Sequence, residues 1–368
     1  MGSDIAVDLR PAGETLGGGA RKALRLGFNT RVSFVGGSGG AARGLRDGIE
    51  LFKAAERLGY QSGWAYQRHF DNYLSSPLPF FAAAGQHTER ITLGSAVIPM
   101  RYQDPILLAE AAGTTDLLIG GRLNLALSGG RTGFERVFGH GKVDARQEGE
   151  RRLDRFLAGV AGEALHTVED GDEAMIAAGT ELRVTPHSEG LRDRIWYGSG
   201  HIASATQAAA RRLRMITGTI LHTVDPGLSF SEYQAKLIDA YRAAWPGPDA
   251  APPVAVSASV LPATTFELRE KYAAYDRERS TQGPAASRPA GALEHTLSAA
   301  LPPGMLMSPV FHGSPDAVAE AVAQDPGIAA ADELVLFLPP AFTLRENVRL
   351  LSDVAGTVGP ALGWQPSR

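Results

Sequence analysis

The chain reads as an α/β protein, a (β/α)8 TIM barrel with insertions after its fourth and seventh strands. Three observations predict it. From Leu24 onward, short apolar and β-branched runs alternate with longer stretches of helical period, the pattern of βα units on a parallel sheet. About eight such strand runs occur, each closed by Gly, Pro or a polar turn, which favours a closed barrel over an open doubly wound sheet. No Gly-x-Gly-x-x-Gly follows the first run, so the usual dinucleotide signature is missing.

In chain order, residues 1–23 form a flexible N-terminal tail, with Gly17, Gly18 and Gly19 beyond Pro11 and no apolar run long enough for a signal-peptide core. Residues 24–368 form one barrel domain. Its strands are expected at 24–34 (LRLGFNTRVSF), 62–67 (SGWAYQ), 91–99 (ITLGSAVIP), 123–127 (LNLAL), 194–198 (RIWYG), 215–221 (MITGTIL), 253–260 (PVAVSASV) and 333–338 (ELVLFL). In the first helix, Ile49, Leu51, Phe52, Ala55 and Leu58 approximate one face, and Gly59 supplies the stop. The stretch between the fourth and fifth strands is too long for one βα connection, so it carries a charged helix (ARQEGERRLDRFLAGV) and a short extended ELRVTP. Residues 276–305, rich in Pro, Ala, Gly and Ser, read as a mobile loop or lid over the mouth, or as a disordered insertion.

Composition excludes several functions. With 36 Lys and Arg against 40 Asp and Glu, scattered along the chain, there is no basic field for nucleic acid. The absence of Cys removes disulfides, thiol nucleophiles, iron–sulfur clusters and thiolate zinc sites, and fits a reducing cytoplasm. No run of about 18 apolar residues suggests a membrane span.

In such a barrel, ligand contacts come from the C-terminal ends of the strands. Those positions are Asn29 to Ser33, Tyr66 to Phe70, Ser95 to Met100, Ser128 to Arg131, Gly198 to Ser204 and the loop from Pro339. No carboxylate pair converges there, which argues against a glycosidase, and no His, Asp and Glu set has metal spacing. In GWAYQRHF, Gly63 to Phe70, His69 is either a hydrogen-bonded core histidine or a functional one. In YGSGHIASA, a strand ending in Gly198-Ser199-Gly200 opens into a helix with Ser204 near its first turn. That is a phosphate cradle, or a Gly-rich turn in which Ser204 is an ordinary N-cap. Arg122 and Asp116 read as a salt bridge or helix-end contact at the barrel base. Trp196 and Tyr197 alternate, one in the core and the other toward the cavity.

The run from GWAYQRHF through LNLALSGG, with GLRDRIWYGSGHIASA and the closing VGPALGW, resembles the bacterial-luciferase-like, flavin-dependent oxidoreductases over nearly all of Leu24 to Trp364. The resemblance implies FMN across the barrel mouth, its phosphate at Gly198, Ser199, Gly200, His201 and Ser204. It implies a non-prolyl cis peptide at Ala96-Val97, small residues Ser95 and Ala96 against the flavin ring, and Glu110 at the flavin edge unless that residue is merely a solvated helix position. Relatives carry an Arg directly after the fourth strand, where this chain reads Ser128-Gly129-Gly130-Arg131; the cation is displaced by two residues. Where relatives have His-His-Phe, this chain has Arg68-His69-Phe70. Arg68 cannot be a general base, whereas it can hold an anion, and His69 is left to hydrogen-bond or move a proton.

The resemblance therefore implies a two-component monooxygenase acting on a small organic substrate with O2, reduced FMN arriving from a separate flavin reductase, and a homodimer. An F420-dependent hydride-transfer reductase and a non-catalytic flavin-binding protein are the alternatives.

Overall fold

The computed structural model describes residues 23–34, 40–130, 133–139, 145–170, 175–223, 225, 227–282 and 303–368. Eight parallel strands, β1 (Arg25–Thr30), β2 (Ser62–Ala65), β3 (Thr92–Pro99), β4 (Leu123–Ser128), β7 (Ile195–Gly198), β8 (Arg214–Thr217), β10 (Val254–Pro262) and β13 (Glu333–Phe337), pair in that order. The ring closes because β13 lies beside β1, with Arg25 opposite Glu333, and β10 bridges β8 and β13. Around it lie α1 (Gly40–Arg57), α2 (Pro77–Gly85), α3 (Pro105–Leu118), α4 (Ala145–Val160), α5 (Ile202–Ala210), α6 (Phe230–Ala243), α7 (Phe266–Gln282), α8 (Pro315–Gln324), α9 (Pro326–Ala330), α10 (Leu344–Asp353) and α11 (Gly359–Ala361). No described helix is long and apolar enough to cross a membrane.

Each of the eight expected strands forms, for the reason the sequence suggested: alternate residues face the helices and the lumen. Leu26 and Phe28 of β1 pack outward, Phe28 edge-on to Phe52 of α1 with ring centroids 5.0 Å apart. Gly59, at φ +90°, stops the chain after α1 as expected. The inward residues make a separate lumen core of Trp64, Ala126, Trp196, Ile216, Ala255 and Val335. Trp64 and Trp196 meet edge to face at 5.3 Å. Beneath them, Glu333 accepts from Ser62 Oγ and from the Trp64 indole, and the Trp196 indole donates to Asn124 Oδ1 at 3.2 Å. The N-terminal half of the lumen is thereby filled, and ligand access is left to the C-terminal mouth.

The base contacts are sharper than expected. Asp116, fully buried, accepts from Leu123 N (3.0 Å), Ser188 Oγ (2.5 Å) and Arg194 Nη2 (2.5 Å), so its ion pair is with Arg194 and not Arg122. Arg122 instead donates to the carbonyls of Gly85, Thr88, Ile91 and Ile119, tying the ends of α2 and α3 to the sheet.

Four expectations need correction. The first strand stops at Thr30, because Val32 takes a positive φ of 48° and turns the chain. MITGTIL is not one strand: β8 ends at Thr217, and β9 (Ile220–His222) leaves the barrel to pair antiparallel with β11 (Met305–Met307). Residues 276–282 are the last turns of α7, not loop; of the expected lid, 283–302 lie outside the described residues, as does the tail at 1–22. A further strand, β12 (Val310–Gly313), went unrecognised; it pairs in parallel with the upper end of β10. The insertion after β4 holds α4 and a small hairpin of β5 (His166–Thr167) and β6 (Glu181–Leu182), close to the expected helix and extended piece.

The lumen leaves no room for a side chain at Gly94, where a Cβ would lie 2.4 Å from the Trp64 ring. Gly94→Ala should cost roughly 2 kcal/mol in urea unfolding. Gly356→Ala, with nothing within 4 Å of the added carbon, should be neutral or stabilising in the same assay. Equal effects at the two positions would mean that the lumen is loosely packed.

Candidate active site at the barrel mouth

The loop after β2 carries GWAYQRHF past the sheet. Because β2 ends at Ala65, Arg68 and His69 lie in irregular chain, and strand alternation does not force them to opposite faces. The loop is pinned by Arg68 N donating to Leu74 O at 3.0 Å, and Phe70 takes φ 55°. Arg68 Nε lies 3.0 Å from Asp71 Oδ2, whose side chain is buried, so the cation expected to hold an anion is paired within its own loop. Gln67 Nε2 donates to Ser75 O at 2.8 Å and lies 3.4 Å from His69 Nε2. The Ser75 carbonyl fixes which end of the amide faces it, so the nitrogen also points at His69 and favours a lone pair on Nε2 with the proton on Nδ1.

His69 sits among aromatic rings from three strand ends: Phe70 after β2, Tyr102 after β3 and Phe138 after β4, its own ring 5.0 Å from that of Phe138. Tyr102 stacks on Phe138 at 4.9 Å, and its hydroxyl accepts from Phe134 N at 3.2 Å. Burial among these rings holds the imidazole below its ordinary pKa of 6.5, because the charged form loses hydration with no carboxylate to replace it. Beneath the cluster, Arg101 is 6% exposed and pairs with Glu135 at 3.1 Å. The sequence reading missed Tyr102, Phe134, Phe138 and Arg101; the i, i+4 spacing of Phe134 and Phe138 was the available signal.

The Ala96-Val97 peptide is cis, as the resemblance implies. The β3–β4 ladder slips between Ala96 and Ile98. Ser95 is fully buried there: its Oγ donates to Ala126 O at 2.9 Å and accepts from Ala126 N at 3.1 Å, so this hydroxyl serves the sheet. Val97 lies against Gly198 of β7, where an added Cβ would be 2.8 Å from Val97 Cγ1. Thus β3 and β7 meet at the mouth through a residue with no side chain.

At the end of β7, α5 begins at Ile202 with His201 as its N-cap. Ser204 is not the N-cap, one of its two sequence alternatives, but the third residue of the helix: its amide donates to His201 Nδ1 (3.1 Å) and its Oγ to His201 O (2.7 Å). Ser199 is 2% exposed, and its Oγ has no hydrogen-bond partner among the described residues. A buried orphan hydroxyl between Gly198 and Gly200, beside a helix N-terminus, has the donor set of an oxyanion cradle. The FMN phosphate expected at this loop fits it.

Ser128 ends β4, Gly129 and Gly130 follow it, and Arg131 lies outside the described residues. Glu110 is half-exposed in the second turn of α3. Trp196 is the lumen-facing member of its pair and Tyr197 packs outward, so neither borders an open cavity. Asn29 Oδ1, Gln67 Oε1 and Ser259 Oγ are further buried atoms at strand ends that find no partner among the described residues.

A closed parallel barrel whose strand ends carry a buried, unpaired hydroxyl and a half-buried histidine has the architecture of a barrel enzyme with its site at the C-terminal mouth. The family model for luciferase-like monooxygenases matches residues 26–329, and the chain belongs to that family. Limonene 1,2-monooxygenase of Rhodococcus erythropolis is 29% identical over 147 residues, 39% of this chain and 37% of that protein. The chain matches only 31% to 37% of the length of the first curated relatives. The oxygenating constituent of 3,6-diketocamphane monooxygenase from the CAM plasmid of Pseudomonas putida, solved with FMN, superposes with TM-score 0.65 at 16% identity over 92% of this chain and 98% of its own. An F420-dependent secondary alcohol dehydrogenase, solved with an F420–acetone adduct, does so with TM-score 0.63 at 12% identity over 91% of this chain and 99% of its own. At those identities the likeness is one of fold.

The lowered His69 pKa has a signed consequence. The unfolded chain binds a proton at His69 at higher pH than the folded one, so this residue's stabilising contribution is present above 6.5 and is lost as pH falls through the folded value. An NMR titration of the His69 imidazole should show a midpoint below 6.5, and Phe138→Ala, which opens the ring to water, should raise it toward 6.5. A wild-type midpoint at or above that value would mean that the ring is already hydrated.

Proposed function

We propose that this chain is the oxygenating component of an FMN-dependent two-component monooxygenase, taking reduced FMN from a separate flavin reductase and using O2 on a small organic substrate. The observation that carries the reading is the orphaned, buried Ser199 hydroxyl at the β7–α5 junction, on the same mouth as His69. Family membership and the FMN-bound structural neighbour support it. Reduced FMN, when bound, supplies the two electrons that activate O2.

The remaining work belongs to the chain's own residues. Ser199, Gly200 and the first-turn amides of α5 hold the phosphate, with His201 and Ser204 fixing the helix end that presents those amides. Gly198, Ala96 and Val97 give a flat backbone shelf for the ring, and Ser95 holds that shelf to β4. His69, neutral near pH 7, is the residue that accepts or holds a proton at Nε2. Arg68 acts through its pair with Asp71 to position the His69 loop. Tyr102, Phe134 and Phe138 shield that corner from water. Glu110, Ser128, Gly129 and Arg131 complete the cofactor contacts on the β3 and β4 side, and the chain works as a homodimer in the cytoplasm.

F420 is the second reading, favoured by the F420-bound neighbour of the same fold. Reconstitution with each cofactor, read by absorbance and mass, separates the two. For FMN, Ser204→Asp keeps a residue that suits a helix first turn while setting a like charge near the phosphate. At about 8 Å and an effective dielectric of about 20, that is worth about 2 kcal/mol, or roughly 30-fold in affinity. FMN should weaken by about that factor and riboflavin hardly at all. Equal loss for both ligands would place the phosphate elsewhere.

A further inference from the structure

Arg279, near the end of α7, is 2% exposed, yet its Nε and Nη1 have no hydrogen-bond partner among the described residues. Its single hydrogen bond runs from Nη2 to Ser308 Oγ at 2.9 Å. Its guanidinium carbon lies 5.8 Å from the centroid of Phe337, the lumen-facing residue at the end of β13. A second guanidinium, Arg31 just after β1, lies 5.6 Å from the same ring and 4.9 Å from those of Tyr66 and Tyr73; its Nε is also buried without a partner. No described Asp or Glu forms an ion pair with either arginine. Aromatic faces compensate part of the cost of burying Arg279 and half-burying Arg31 but supply no acceptor for their N–H groups.

These donors point to an anion that no described residue provides. In the barrel order, β1 and β13 lie across the ring from β7, so the pair faces the phosphate cradle from the far side of the mouth. Arg31 also lines a cleft of about 820 Å³ between α1, α10 and the loops after β1 and β13; Arg279, Phe337, Tyr66 and Tyr73 are not among its lining residues. We infer that Arg279 and Arg31 together seat a carboxylate on the substrate, holding it over Phe337 and opposite the cofactor phosphate. The planar fork of each guanidinium suits a carboxylate, and the neighbouring Tyr66, Tyr73 and Phe337 rings suit an apolar body attached to it. Calling the bearer of that carboxylate a substrate rests on the flavin reading above; the anion seat itself does not.

The test uses the cofactor-free full chain. Acetate, benzoate and octanoate are titrated against their neutral amides by calorimetry, and FMN and riboflavin are titrated separately by fluorescence, for wild type, Arg279→Met, Arg31→Met and Arg279→Lys. At least one carboxylate should bind ten-fold or more tighter than its amide. Each Met variant should lose at least ten-fold of that carboxylate affinity while FMN changes less than three-fold, and Arg279→Lys should retain part of it. If Arg279→Met does not fold, judged by near-ultraviolet circular dichroism, Arg31→Met on a different element reads the same contact. No preference for any carboxylate over its amide, or unchanged affinity in the Met variants, overturns the inference. So does FMN weakening in step with the carboxylate while riboflavin does not, since the arginines would then hold the cofactor's phosphate. Selective carboxylate binding by a chain that binds no FMN would leave the seat standing and remove the flavin reading.

Discussion

Two tryptophans packed edge to face inside the barrel decide where everything else can be. Trp64 from β2 and Trp196 from β7 cross the lumen from opposite walls, and each ring is bulky enough to demand a small residue opposite: Gly94 beneath Trp64, and alanines at 126 and 255. Both indole N–H groups are satisfied by polar residues toward the strands' N-termini, one through Ser62 and Glu333, the other through Asn124. A lumen plugged by this layer cannot be a channel. Ligand chemistry is confined to the rim above it, where the strands release their chain into loops.

On that rim the division between scaffold and site is visible in how polar atoms are used. Below the tryptophans most are used, Asp116 taking three donors and Arg122 serving four carbonyls, although the Nε atoms of Arg194 and Arg214 are buried there with no partner among the described residues. At the strand ends Ser199, Ser259 and Asn29 are buried with an unused polar atom each. Burying such a group unpaired costs on the order of 1–3 kcal/mol, so a folded protein keeps several of them together only where something else completes them. The same logic explains why so much of the site is backbone. Gly198 is bare so that Val97 can lie against it, and the hydroxyl of Ser95 is given over to β4 to hold the slipped ladder.

Much of this was legible in the sequence, and the parts that were not have physical reasons. All eight barrel strands, the helix and short extended piece of the insertion after β4 and the cis Ala96-Val97 peptide follow from local pattern or from resemblance. The failures are where partners come from far along the chain. Asp116 looked like a mate for nearby Arg122 but bonds to Arg194, 78 residues on. Of the two sequence alternatives for Ser204, the N-cap one fails because His201 takes that position with its ring nitrogen. The helix α7 runs to Gln282 into a stretch whose Pro, Ala and Ser content speaks for loop, and its low amphipathicity offers no periodic face; Arg279 was therefore invisible as a buried residue. Arg68 was read as able to hold an anion, and the pairing of its guanidinium with Asp71, three residues downstream in the same loop, went unrecognised.

The charges left over after this pairing give the mouth a polarity. On the β7 side, the positive end of α5 and the unused Ser199 hydroxyl favour an oxyanion without any formal charge of the protein's own. On the β1 and β13 side, two full guanidinium charges lie against aromatic faces, Arg279 buried and Arg31 half-buried. Between them along the rim, on the β2 to β4 arc, burial keeps His69 neutral, while backbone hydrogen bonds and the pair with Arg101 hold the Glu135 carboxyl below its ordinary range and so charged. A neutral imidazole is the arrangement that such flanks require: a third cation there would be repelled by the guanidiniums, whereas a neutral ring can accept a proton when a reacting group offers one. The pairing of Arg68 with Asp71 has the same sense, since it removes the one positive charge that would otherwise lie beside that imidazole and depress its basicity further. The departure from a second histidine at this position is thus compensated within the loop itself, by a carboxylate that neutralises the guanidinium and leaves the remaining histidine to titrate alone.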